Sequence, residues 1–286
     1  MQDITSFIKI LKQHNIDIIH SWDYKSNYLE ALTSKVAGVK YLYTKKNNSW
    51  SKRWKLKSIL SSHIAFDNPD MKERFFASIF LRNKISFIPH GVDTEVFKPL
   101  SHKPHDSFNL VCIGNIGANK NQLYIVKLLP LLPENVVLHL YGKEDKEYRK
   151  KLESYVRKND LASRVNFHGY VDNASLPEVF RKMDVFILPS INEGLPVSIL
   201  EAMSCGIPAL SSDSGGGARY LLDSPNIFSL NNPIELSHKI NKFQKMKISE
   251  KKRVSKSERQ KVLLQHTIEK EVLAYENLYK DIIRKK

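Results

Sequence analysis

Only two cysteines, Cys112 and Cys205, occur in 286 residues, and no Cys-x-x-Cys spacing links them. A disulfide framework and a cysteine-based zinc site are therefore not expected; both residues fall in predicted regular elements and read as reduced core thiols, natural to a reducing cytoplasm. Long apolar runs are lacking too. Stretches such as Val185 to Leu188 are far short of the roughly 20 residues that a membrane-spanning helix needs, and no basic patch followed by an apolar block opens the chain. The expected location is cytoplasmic, either free or peripheral at the inner face of the cell membrane. There is no Asp-x-Asp triplet, no internal repeat and no low-complexity tract. What is present is 42% hydrophobic and 26% charged residues, the composition of a globular chain long enough for two ordinary domains.

The formal charge of +15 is uneven along the chain. Residues 1 to 104 carry an excess of +8, residues 105 to 230 of −1, and residues 231 to 286 of +8. A nucleic-acid binder places cations among its recognition groups, yet the segment richest in site-like motifs is neutral, so no nucleic-acid partner is expected. Lys45 to Lys57 interleaves lysine and arginine with Trp50 and Trp54. That pattern suits either an anionic membrane surface or a solvated helix face with two half-buried tryptophans.

Short β-branched runs alternate with longer helical patterns, which argues for an α/β fold with parallel sheets and crossover helices. Strands are expected at Asp17 to His20, Lys40 to Tyr43, His63 to Phe66, Ser86 to Ile88, Asn109 to Ile113, Val136 to Tyr141, Val165 to His168, Val185 to Leu188 and Ala209 to Ser211. Pro99 and Pro104 bracket a polar stretch that reads as a hinge. The predicted organisation is a first domain over 1–104, a second over 105–265, and a closing amphipathic helix within 266–286 that crosses back to the first.

The segment after Val185 to Leu188 holds the densest chemistry. Pro189-Ser190-Ile191-Asn192-Glu193-Gly194-Leu195-Pro196-Val197-Ser198 leads from a strand into a helix. A helix start at a strand's carboxyl end offers unpaired N–H groups and a positive dipole, a fit for diphosphate. Glu193 and Glu201 flank that start, able to face one crevice and accept bonds from sugar hydroxyls; alone, such a pair equally reads as helix capping.

This segment resembles the Glu-x7-Glu signature of retaining GT-B glycosyltransferases, the family 4 type of glycosyl transferases group 1. Ile88-Pro89-His90-Gly91-Val92-Asp93, Val165-Asn166-Phe167-His168-Gly169-Tyr170-Val171, Met183-Asp184 with the strand that follows, and Gly206-Ile207-Pro208-Ala209 extend the likeness over about 120 residues in order. The resemblance implies two Rossmann-like domains, and a hexose moved from a UDP- or GDP-linked donor to a saccharide or lipid-linked acceptor with retention. It assigns Glu201 to the ribose, Glu193 to the donor sugar, and Gly194, Leu195, Val197 and Ser198 to hydroxyls and phosphate. Gly169, Tyr170 and Val171 would frame the base. In Gly114-Asn115-Ile116-Gly117-Ala118-Asn119-Lys120, Lys120 matches the family's phosphate-binding lysine, while Asn115 stands where arginine is usual; without that context Lys120 is a surface lysine. Glu193 and Lys120 are thus the candidate catalytic groups. Ser214 to Gly217 occupies the place of a family glycine turn, or is a flexible loop.

No metal or cofactor is implied, since a metal-bridged diphosphate would call for Asp-x-Asp. Lys46 follows where relatives have a histidine; it would touch a donor or acceptor phosphate, or be an exposed lysine. His20, His63 and His90 read as structural. The first strand resembles a mid-domain one, so the N-terminal domain is expected to be incomplete, with Ile16, Ile18 and Ile19 on an open sheet edge. A shortened chain, a partner chain or second copy that supplies the missing part, and a protein that binds a nucleotide sugar without catalysis all fit.

Overall fold

The computed structural model describes residues 2–22, 25–101 and 105–284, so Pro104 of the expected hinge lies outside the described residues. The chain divides into two compact units, Met1–His90 with Glu269–Lys286, and Gly91–Ile268. The second unit takes in Gly91 to Ser101, which the sequence pattern assigns to the first domain. Val92 pairs with Thr267 in a parallel bridge, and Phe97 packs with Val111 and Leu200 in a core of that unit.

The first unit runs α1 (Gln2–Gln13), β1 (Ile18–Ser21), α2 (Leu29–Ala37), β2 (Lys40–Lys45), α3 (Lys52–Leu60), β3 (His63–Phe66), α4 (Asp70–Phe76) and β4 (Ile85–Phe87). Its sheet is parallel in the order β1-β2-β3-β4. Side chains alternate across it as a strand requires. Tyr41, Tyr43, Ile64 and Phe66 enter one core, while Leu42 and Ala65 enter another that Tyr275, Leu278 and Ile282 of the closing helix complete. β1 lies at the edge, with Ile19 packed against the first of these cores, Ile18 against the second, and Ile16 exposed.

The second unit contains β5 (Phe108–Ile113), α5 (Gln122–Leu128), β6 (Val136–Tyr141), α6 (Lys146–Lys158), β7 (Val165–Gly169), α7 (Leu176–Phe180), β8 (Val185–Leu188), α8 (Val197–Ser204), β9 (Ala209–Ser212), α9 (Gly216–Leu221), β10 (Ile227–Phe228), α10 (Pro233–Lys245) and α11 (Ile248–Gln265). The closing helix, α12, spans Ile268–Arg284. The parallel sheet is ordered β10-β9-β8-β5-β6-β7. Both faces are covered: Leu110, Cys112, Val185 and Ile187 point into one core, Val111, Phe186 and Leu188 into the other. That explains why β5 and β8 read as continuous apolar runs. Cys112 and Cys205 are both free thiols and buried.

The strand order reverses between β5 and β8. Loops leaving these neighbours at their carboxyl ends run to opposite sides and open a crevice, the general ligand position in open α/β sheets.

Candidate functional site

The loop after β5 carries Asn115 and Lys120; the loop after β8 carries Glu193. The two are fastened together, because the Ile191 N–H donates to the Asn119 carbonyl at 2.8 Å and the Asn119 side-chain amide donates to the Asn192 carbonyl at 2.9 Å. Lys120 Nζ thereby stands 2.8 Å from Glu193 Oε1 in an ion pair. α8 starts just beyond, with Pro196 preceding it and no side chain capping it. The first N–H groups of any helix lack intrahelical acceptors, so Val197 and Ser198 present donors at its positive end.

These features line one cavity of about 600 Å³, whose wall includes Gly114, Asn115, Lys120, Tyr170, Val171, Glu193, Leu195, Val197, Ser198 and Glu201. Gly169 and Gly194 are not on its lining. Gly169 instead accepts the Gly142 N–H at 2.8 Å, and the Gly194 carbonyl supports the start of α9, where a Cβ on Gly217 would lie 1.7 Å from its oxygen. The Ser214 to Gly217 segment is thus a packed strand-to-helix turn, not a flexible loop. The Ser214 carbonyl also accepts the Glu193 N–H at 3.0 Å.

Glu201, in the second turn of α8, is only 8% exposed. Burial pushes its carboxyl up to about 7, against a hydrogen bond from Asn173 that favours the charged form. Such a group stands between hydrogen-bond acceptor and donor near neutral pH, useful toward paired hydroxyls.

Sequence reasoning overlooks Tyr141, Gly142, Lys143 and Asn173, all on the same lining. Gly142 has φ +146°, and a Cβ there would meet the Gly114 carbonyl oxygen at 2.0 Å. Lys143 follows it, 5.2 Å from the centroid of the Tyr170 ring, and adds a second cation to a cavity where Asn115 supplies none. The available signal was Tyr141-Gly142-Lys143 at a strand end, matching Ile113-Gly114-Asn115 one strand away.

In the first unit, Lys46 Nζ lies 4.1 Å from the centroid of the Trp22 ring. Its ammonium is held below the usual lysine range by burial, opposed by Asp67 and Glu271. His20 shares hydrogen bonds with Tyr279 at 2.7 Å and Thr44 at 2.8 Å, and burial, aided by Lys46, depresses it to about 4. His63 bonds Ser86 at 2.9 Å. His90 bridges Asp67 at 3.4 Å and Glu271 at 3.0 Å. All three histidines are knit into the framework. The Lys45 to Lys57 pattern needs correction. Lys45, Lys57 and Trp54 are buried, with Lys45 Nζ 4.0 Å from the centroid of the Trp54 ring, so Trp54 belongs to the core and cannot meet headgroups. Among the described residues there is no cluster of three or more histidine, cysteine or acidic side chains suited to a metal, and no helix long and apolar enough to cross a membrane.

Residues 93–261 match the profile of the family described as glycosyl transferases group 1. The chain is 29% identical over 247 residues to the UDP-Gal:alpha-D-GlcNAc-diphosphoundecaprenol alpha-1,3-galactosyltransferase of Escherichia coli, an alignment covering 76% of this chain and 62% of that protein. It is 28% identical over 144 residues to the lipopolysaccharide core biosynthesis mannosyltransferase LpsB of Rhizobium meliloti, covering 45% of this chain and 40% of the relative. The chain therefore spans less than two thirds of the length of these relatives. Among solved structures, a glycosyltransferase of Rickettsia africae superposes with a TM-score of 0.89 at 17% identity, covering 100% of this chain and 82% of the other. The Anabaena Alr3699/HepE protein, in complex with UDP and glucose, gives 0.83 at 18% identity, with 96% and 80% covered. These likenesses show the fold: an α/β chain of the GT-B type with two Rossmann-like units.

Proposed function

The chain belongs to the glycosyl transferases group 1 family, and from that premise we propose that its second unit binds a nucleotide sugar and transfers the hexose, with retention at the anomeric carbon, to a saccharide or lipid-linked acceptor. The observation that carries this reading is the convergence of Glu201, the Lys120–Glu193 pair and the start of α8 on one cavity at the switch point. In it, Glu201 holds the ribose hydroxyls, Tyr170 and Val171 frame a uracil- or guanine-type base, and the Val197 and Ser198 amides take the diphosphate. Glu193 contacts the sugar.

When the bond from the anomeric carbon to the diphosphate oxygen breaks, negative charge grows on the leaving nucleotide. Lys120, Lys143 and the helix start would meet that charge with donors already in place, an arrangement that needs no reorganisation and assigns no role to a metal ion. The acceptor hydroxyl oxygen bonds to the same carbon, and its proton passes to the departing diphosphate oxygen. Lys143 weighs against a purely binding role, because it restores the second cation that Asn115 fails to provide. The name of the Escherichia coli relative includes UDP-Gal and a diphosphoundecaprenol-linked sugar, which supports a UDP donor and a lipid-linked acceptor here.

The test is to measure nucleotide binding and donor turnover in two variants. Glu201→Gln is expected to weaken nucleotide binding, and Glu193→Gln to lower turnover with binding largely kept. Equal and negligible effects of both would remove the assignment.

A further inference from the structure

The burial of Trp54 leaves the exposed cations of α3 without their expected aromatic partner, yet the structure supplies another. On α3, Lys52, Lys55, Leu56 and Ile59 recur at helical spacing and are all exposed, while Trp54, Lys57 and Ser58 face the core. Beside its end lies the turn between α4 and β4, in which Ile79 is 61% and Phe80 79% exposed. Lys84 joins the two, its Nζ donating to the carbonyls of Ile59 at 2.8 Å and Ser61 at 2.7 Å. Leu81, the residue after Phe80, is buried in the core cluster that also contains Trp54, which anchors the turn to the unit's core.

A large aromatic and a β-branched side chain next to each other at a turn tip are costly to leave in water, and Leu56 and Ile59 on α3 are exposed as well. Arg82 is exposed two residues beyond Phe80, and Lys52, Arg53 and Lys55 are exposed along α3; Asp70 and Glu73 at the start of α4 are exposed carboxylates of the same unit. An apolar tip accompanied by exposed cations matches a surface that is negative outside and apolar beneath. We propose that this face of the first unit docks on an anionic lipid bilayer, with Ile79 and Phe80 entering below the headgroups and Lys52, Arg53, Lys55 and Arg82 meeting lipid phosphates. The inference goes beyond the transferase reading and does not depend on it, because it rests on the first unit alone.

Co-sedimentation of the full chain with vesicles tests it. Phosphatidylcholine vesicles containing phosphatidylglycerol should carry the protein down, pure phosphatidylcholine vesicles should not, and added salt should weaken the association. Phe80→Asp should lower the partition about tenfold or more, and the pair Arg53→Glu with Lys55→Glu at least about fivefold per charge removed. These side chains are exposed, so thermal melting should be unchanged; should Phe80→Asp melt early, Phe80→Ser keeps the same expectation for binding. Equal binding to neutral vesicles, no binding to anionic ones, or indifference to both sets of variants overturns the proposal. So does a wild-type dimer in vesicle-free solution that Phe80→Asp converts to monomer, since the face would then belong to a second copy.

Discussion

Replacing Gly217 by alanine is the sharpest structural perturbation of the proposed site, because it adds one methyl group without touching a charged or polar side chain. The new Cβ would lie 1.7 Å from the Gly194 carbonyl oxygen, 2.8 Å from its carbon and 3.0 Å from the Leu195 Cα. Ordinary contact begins near 3.4 Å, so backbone must move by more than an ångström, and backbone lies on both sides of the clash. The segment that gives way holds Glu193 and Leu195, both on the cavity lining. Overpacking of this kind costs about 1–3 kcal/mol in stability, which a unit with two cores can absorb. A displacement of about 1 Å at a catalytic group can cost on the order of a hundredfold in rate. Gly217→Ala is therefore expected to remain folded by circular dichroism, to melt a few degrees lower, and to lose about a hundredfold in donor turnover. Gly117→Ala is the control, since a Cβ there meets nothing within 4 Å; it should behave as wild type. Wild-type turnover in a folded Gly217→Ala protein would refute the reasoning that the α9 start positions Glu193.

Two other outcomes follow. Lys143→Ala should slow donor turnover roughly 10- to 100-fold, given about 1.5–3 kcal/mol for a hydrogen bond to a charged group and tenfold per 1.36 kcal/mol, and Lys143→Arg should restore most of it; single-turnover measurement of donor cleavage reads both. Burial alone would lower the pKa of His90, but hydrogen bonds and charge from Asp67 and Glu271 prevail and raise it from 6.5 to about 9. Its contribution is thus complete below pH 6.5 and is lost as pH rises through about 9, on the order of 3 kcal/mol by the linkage of pKa shifts to stability. Denaturant midpoints should fall across that window in the wild type and change less in His90→Gln; parallel curves would show that His90 adds no such linkage.

The strands were legible because their causes are local. β-branched and apolar runs marked β3, β6 and β8 at the residues where they lie, and the others within a residue or two. β10 escaped notice because a two-residue strand has no periodicity; it exists through pairing with Ser211 and Ser212. The cavity at the switch point was partly legible, since β8, its turn and α8 are contiguous in sequence. Lys143 was not, because its place depends on β6 lying next to β5 and on Gly142 fitting under Gly114, facts of three-dimensional packing. The tryptophan and lysine pattern misled for a related reason. Trp54 and Lys57 lie on one face of α3, and a lysine there does not read as buried, yet its ammonium lies 5.1 Å from the centroid of the Tyr43 ring and 5.4 Å from that of Trp54 and donates to the Lys25 carbonyl at 3.3 Å.

The structure of the complex with UDP-hexose would probe the central claim most directly. In it the diphosphate should lie within hydrogen-bond reach of the Val197 and Ser198 amides and of Lys120, with the ribose on Glu201. A nucleotide bound elsewhere on the chain, or no complex at saturating nucleotide, would contradict it.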